Sequence, residues 1–191
     1  MTKLDTKHSI CEAARDLFMK HGIRRITIED ICTSAGICRK TYYDYYNNKL
    51  DLVIETLNNL MSDNTNKYLA VIDSHLPFSE KLHRMLDMKI EFMKQNMLLI
   101  DDMLLTKMNS VKQFMERKLK ERSELIIKHY HKAQKAGEIR SDVCIEAIIE
   151  IQNKILDLCS DESFRSKFPD TPTMMRQLSE LHLFGIANKV K

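Results

Sequence analysis

The sequence predicts an all-α chain, with an N-terminal head of three helices built on a helix-turn-helix and a C-terminal helical body. Three observations predict it. Apolar residues recur at spacings of three and four along most of the chain. Turn formers are scarce, with 4 glycines and 3 prolines in 191 residues, where a sheet protein of this length would need more. The stretch TIEDICTSAGICRKTYYDYYNNKLDL, residues 27–52, reads as two short helices joined by a tight turn at Gly36.

Taken in order, residues 6–21 form a first helix with Ile10, Ala13, Ala14, Leu17 and Phe18 as its apolar stripe and Gly22 as its stop. It clamps the two short helices, which cannot hold their shape alone. Arg24 and Arg25 follow in a loop that either touches phosphate or is simply solvated. Thr27 is placed to cap the next helix, with Asp30 as the acidic half of an imperfect capping box. Ile28, Ile31 and Cys32 turn inward. Gly36 makes the reversal because glycine takes left-handed backbone angles without steric cost. Ile37 plugs the turn, and residues 39–46 make about two helical turns, with Tyr42 and Tyr46 on the core face. Lys40, Thr41, Asp44 and Tyr45 face elsewhere, and that face is the one a DNA groove would meet.

This stretch resembles the DNA-binding domain of the tetracycline-repressor (TetR) family. The resemblance rests on Thr27, Ile31, Ala35, Gly36, Ile37, Thr41, Tyr43, Tyr46, Lys49 and Leu52, and covers roughly residues 7–60. Three positions depart from the family pattern: Cys32 replaces an alanine, Cys38 a serine that caps the recognition helix, and Lys40 a small residue. Cysteine fits the first slot, whereas a thiol is a weaker cap than a hydroxyl. On DNA, Thr27 at a helix N-terminus, Tyr43, Tyr45 and Lys49 are expected to contact phosphate, the last three at family positions of that role. Arg39, Lys40 and Thr41 are expected to read bases. Asp44 either accepts from cytosine N4 or holds a neighbouring arginine.

Beyond the head, a fourth helix begins at residue 48 or 49 and runs toward Ile72, so residues 1–48 and 49–191 are the expected divisions, sharing that helix in one compact unit. In the family it resembles, ligand-driven movement of this helix resets the spacing of two DNA-reading heads. Pro77 marks a break. Residues 78–96 form a helix with Leu82, Met85, Leu86, Ile90 and Met93 inward, residues 97–107 a shorter one, and residues 110–136 a long one stopped by Gly137. Residues 142–159 carry two apolar stripes: Cys144, Ala147, Ile148, Ile151, Ile155 and Leu158, and beside them Ile145, Ile149, Leu156 and Cys159. A helix apolar over so wide an arc often buries its second stripe against another subunit. After a polar loop over residues 161–173, residues 174–188 make a last helix. The two can pair with their copies, with Ile148, Ile151, Ile155, Leu178 and Leu181 at a homodimer interface.

Charge agrees with this division. The chain's net +3 falls entirely within residues 1–50, which hold 9 Lys/Arg and 6 Asp/Glu, and the remainder is neutral. No apolar run reaches the ~18–20 residues that span a bilayer, and the N-terminus lacks a signal-peptide core, so a cytoplasmic protein without a membrane partner is expected. The five cysteines have no C-x-x-C spacing and read as free thiols; Cys38, at a helix start, is the candidate for redox chemistry. No metalloprotease motif, phosphate-binding glycine loop or nucleophile elbow occurs, and His129 and His131, two apart on a helix, diverge. Neither an enzyme nor a metal or cofactor site is expected.

The expected function is that of a ligand-responsive transcriptional regulator, a repressor binding an inverted repeat of double-stranded DNA as a homodimer. A monomer would read too few bases. The family resemblance implies a pocket in the body for a small-molecule effector, apolar or amphipathic. The 12 methionines offer adaptable lining, and Met85, Met88, Phe92, Met103, Phe114 and Tyr130 are its candidates. The alternative is a DNA-binding dimer controlled by a protein partner or by thiol oxidation.

Overall fold

The computed structural model describes residues 3–104, 109–159 and 161–184. Among them the chain forms α1 (Lys3–His21), α2 (Ile28–Ala35), α3 (Arg39–Tyr43), α4 (Lys49–Ile72), α5 (Phe78–Gln95), α6 (Met97–Leu104), α7 (Asn109–Lys135), α8 (Ile145–Leu158), α9 (Glu162–Arg165) and α10 (Thr171–Phe184). The all-α expectation holds. Two compact units emerge, not one: a head of Met1–Asn64 with Gln95–Phe114, and a body of Thr65–Lys94 with Met115–Lys191. The head therefore takes in more of α4 than a division after residue 48 allows, and it includes α6.

In the head, α1 packs on α2 and on α6. Ile10, Ala14 and Phe18 are fully buried, as are Ile31 of α2, Leu52 and Leu57 of α4 and Leu99 of α6. Side chains also tie α1 to α4: the Lys7 ammonium pairs with Glu55 at 2.8 Å, and Asn59 donates to the Cys11 thiol at 3.4 Å. Beside that thiol the buried Thr56 hydroxyl turns back to the Leu52 carbonyl at 2.8 Å. This satisfies a polar group that would otherwise cost about 1–3 kcal/mol in a dry site.

The body is built around Phe78, Leu82, Ile126, Tyr130, Ala133, Ile139, Ile145, Ile148 and Ile149. The body accounts for part of the two stripes of α8. Ile145, Ile148, Ile149, Ile155 and Cys159 are all buried within one chain, so Ile148 and Ile155 are core and not exposed interface residues. Part of the wide apolar arc is therefore buried in its own subunit, with α10 packed on the helix, while Cys144, Ala147 and Ile151 of the first stripe stay exposed. Ile151 and Leu181 remain exposed, and Leu178 is half-buried. The loop expected over residues 161–173 contains α9, capped by Asp161 on the Phe164 N–H. It also holds the start of α10, where Asp170 accepts from the Thr173 N–H at 2.6 Å. Pro172 sits in the first turn of that helix, where its missing N–H loses nothing.

Candidate nucleic-acid interface

The interface begins with a cap. The Thr27 hydroxyl accepts from the Asp30 N–H at 3.1 Å, and the Asp30 carboxylate accepts from the Thr27 N–H at 2.8 Å and from its hydroxyl at 2.7 Å. The box that looked imperfect in sequence is complete. Those same bonds hold the Asp30 carboxyl below its usual range, the Thr27 hydroxyl being the largest influence. At the far end of α2, Gly36 adopts φ 67° and ψ 34°, and the Ile37 N–H reaches back to the Cys32 carbonyl at 3.0 Å. This closes the turn with a bond from the second residue beyond the helix.

α3 is one turn and a half. Tyr42 is fully buried and its hydroxyl donates to the Asn48 carbonyl at 3.2 Å; Tyr46 is 3 % exposed. Burial raises both phenols, Tyr42 to about 12. The ring of Tyr43 meets that of Tyr42 edge-on at 5.5 Å, and Tyr43 stays 48 % exposed. The aromatic pair Tyr42 and Tyr46 anchors the helix. Its other residues are left outward.

Arg39, Lys40 and Asp44 are exposed, and Thr41 and Tyr45 half-exposed. The Arg39 guanidinium lies 3.9 Å from Glu29, and the neighbouring Tyr43 hydroxyl first, then Glu29, favour its charge. Thr27, Arg39, Lys40, Thr41, Tyr43, Asp44 and Tyr45 thus lie along one short α2–α3 segment of the head. Cys38 makes no capping bond, as a thiol in the serine slot suggests. Its sulfur lies 3.3 Å from the Thr41 hydroxyl, which lowers the thiol below its ordinary value with the first amides of α3 adding to the effect.

Lys49 is placed differently from expectation. Its ammonium is not extended toward solvent but donates to the Ile23 carbonyl, 6.0 Å from the Phe18 ring, and burial lowers it. A phosphate at this point would meet the start of α4 rather than a free ammonium. Sequence reasoning also left Arg24 open, and the structure engages it. Arg24 Nε donates to Asp102 of α6 at 2.6 Å, and its backbone N–H to the same carboxylate at 3.2 Å. Nothing local pairs residues 78 apart.

The candidate pocket residues divide. Met85 and Tyr130 line cavities of the body, described below. Met88 and Phe92, both half-buried on α5, line neither of these cavities. Phe114 is buried and belongs to the head unit, and the Met103 side chain lies outside the described residues. Spacing along helices did not reveal that α6 belongs to the head. The histidines diverge as expected: His129 faces Asp73 at 3.5 Å and His131 faces Glu146 at 2.9 Å. Among the described residues no three His, Cys, Asp or Glu lie close enough to share a metal ion, and no helix is long and apolar enough to cross a membrane.

A capped helix, a left-handed glycine turn and a short second helix with an anchored aromatic face and an exposed polar one define a helix-turn-helix protein. Residues 10–56 match the family model of the tetR family of bacterial regulatory proteins. It is 31% identical over 97 residues to the HTH-type transcriptional regulator YhgD of Bacillus subtilis (strain 168), covering 51% of this chain and 51% of that protein. The chain thus spans about half the length of this curated relative. Solved structures extend the likeness in fold. The fatty acid degradation regulator FadR of Bacillus halodurans superposes with a TM-score of 0.71 at 19% identity, over 93% of this chain and 98% of that one. FadR of Bacillus subtilis in complex with stearoyl-CoA does so at 0.71 and 18% identity, over 94% and 98%.

Proposed function

We propose that the chain is a transcriptional regulator, a repressor that binds an inverted-repeat operator as a homodimer and is released by a small amphipathic molecule. The observation that carries this is the outward face of α3. A helix of five residues fixed by buried Tyr42 and flanked by Tyr46 presents Arg39, Lys40, Thr41 and Asp44 together, which is the side-chain set that reads base edges. Thr27, Tyr43 and Tyr45 flank it as phosphate contacts, and Lys49 supports them by holding the α1–α2 turn through Ile23. Dimer contacts are drawn from the exposed Ile151 and Leu181, because Ile148 and Ile155 are occupied by the chain's own core. The cavities of the body support a small-molecule effector, and FadR of Bacillus subtilis, a protein of this fold, is found in complex with stearoyl-CoA.

Selection from random duplexes tests the reading. The retained sequences should be inverted repeats with half-sites about one helical turn apart, ~34–36 Å, bound by a chain that sediments as a dimer. Equal affinity for a single half-site would refute it. Control by thiol oxidation is the second reading, favoured by the exposed, lowered Cys38 thiol at the start of α3.

A further inference from the structure

The body contains a cavity of about 60 Å³ with contributions from α4, α5, α7, α8 and α10. Most of its wall is apolar, with Leu82, Leu86, Ile126 and Ile155 on it, yet two cations line it as well: Lys89 of α5 and Arg122 of α7. No carboxylate lines the cavity, and neither cation has an ion pair or hydrogen bond among the described residues. The two repel. Burial first, and then the Arg122 charge, push Lys89 down to about 8, with only the Cys159 thiol acting the other way. His182 adds a buried Nε2 without a partner among the described residues.

Such an arrangement is costly for an empty fold. A charge withdrawn from water needs a counter-charge, and a second charge of the same sign beside it makes the deficit worse. An apolar wall with two unmatched cations is the complement of an anionic headgroup, which both can bind through charge-assisted hydrogen bonds. The volume limits what enters. It suits a headgroup but is well short of the ~300 Å³ that encloses a whole drug-sized ligand. A second cavity of about 260 Å³ shares Met85 and Tyr130 with the first; Ile72, Phe78 and Ala133 form an apolar side of its wall, and Asp73, Lys81, Lys132 and Glu138 line the rest. Met85, an unbranched thioether with three rotatable bonds, is the kind of side chain that can swing aside between them.

We propose that this body binds an amphipathic carboxylate, its headgroup between Lys89 and Arg122 and its alkyl tail passing Met85 toward the second cavity. This deepens the effector reading and rests on it only for the consequence at DNA.

Calorimetric titration of the full chain with octanoate, octan-1-ol and octylamine tests the charge rule. Octanoate should bind, the alcohol at least tenfold more weakly, and the amine not measurably. Lys89→Met and Arg122→Met should each weaken octanoate tenfold or more, while Lys89→Arg, which keeps the charge, should retain the preference for the anion. Lys89→Met should also raise the Tm of the unliganded chain, a sign that it folds and that the buried charge had been unmatched. Equal affinity for octanoate and octanol, or undiminished octanoate binding by Lys89→Met, overturns the proposal. So does binding of acetate or inorganic phosphate as tight as that of octanoate, which would make this a site for plain anions. If octanoate binds by these rules but does not release operator DNA, the site stands and the effector reading fails.

Discussion

Replacing Gly22 by alanine tests the tie between the α1–α2 turn and α6. Gly22 holds φ +77°, and a Cβ there would lie 2.7 Å from Asp102 Oδ2. The left-handed backbone costs an alanine about 1–2 kcal/mol, partly offset by the ~0.4–1 kcal/mol it gains by restricting the unfolded chain. That leaves a net loss of about 1 kcal/mol before any collision. The collision adds to it because the carboxylate is not free to swing: it is 9% exposed and accepts from both the side chain and the backbone of Arg24. Breaking hydrogen bonds of this charged kind costs about 1.5–3 kcal/mol, and the 79% exposure of Arg24 sets the value at the lower end. Gly22→Ala should therefore destabilise by about 2–3 kcal/mol and Asp102→Ala by about 1–2 kcal/mol. The double variant should fall short of their sum by about 1 kcal/mol, since removing the carboxylate removes the collision. At roughly 2–4 °C per kcal/mol for a chain of this size, thermal melts followed by circular dichroism resolve the cycle. Strict additivity, within ~0.3 kcal/mol, would mean that Gly22 and Asp102 do not meet and that the turn is not fastened to α6.

At the proposed DNA face, Lys40→Ala should relax base preference at a cost of roughly 1–3 kcal/mol on the selected operator while leaving non-specific binding nearly intact; competition gel shifts read this, and an unchanged preference places Lys40 outside the groove. Lys49→Ala should lower head stability by about 1 kcal/mol through the orphaned Ile23 carbonyl, and a Tm unchanged from the parent would show that this bond contributes nothing. Among the cysteines, Cys38 should be alkylated first near neutral pH, because its thiol is exposed and lowered and so has the larger thiolate fraction. Cys159, fully buried and raised to about 11, should be protected until unfolding. Peptide mapping after timed iodoacetamide exposure gives the order, and equal rates at Cys38 and the exposed Cys144 would remove the argument for thiol control.

The head was legible because its signals are short-range. A threonine three residues before an aspartate, a glycine ending the helix and tyrosines four apart each fix geometry within a turn or two, and each is found where the spacing puts it. Failures came from distance. Arg24 finds Asp102 across 78 residues and Lys49 finds Ile23 across 26, and periodicity carries no information about either pair. Burial against another subunit and burial within its own give α8 the same apolar pattern, and packing assigns Ile148 and Ile155 to the chain's own core while leaving Ile151 exposed. Lys89 and Arg122 carry no signal in the sequence, and their meaning comes from the folding that brings them to one cavity without a carboxylate. The early start of α10 was missed because prolines at 169 and 172 read as loop, although a proline in a first turn opens a helix as readily as it ends one.

That the head draws on two stretches separated by thirty residues, the end of α4 and nearly all of α5, bears on how this gene can be cut and recombined. A fragment ending at the turn before α4 would carry the proposed DNA face but leave behind Leu52, Leu57 and Leu99, which are buried with α1 in the head. Transplanting operator specificity between relatives therefore calls for grafting surface residues of α2 and α3 into an intact chain, because exchange of an N-terminal cassette would sever the hydrophobic support from the part it supports.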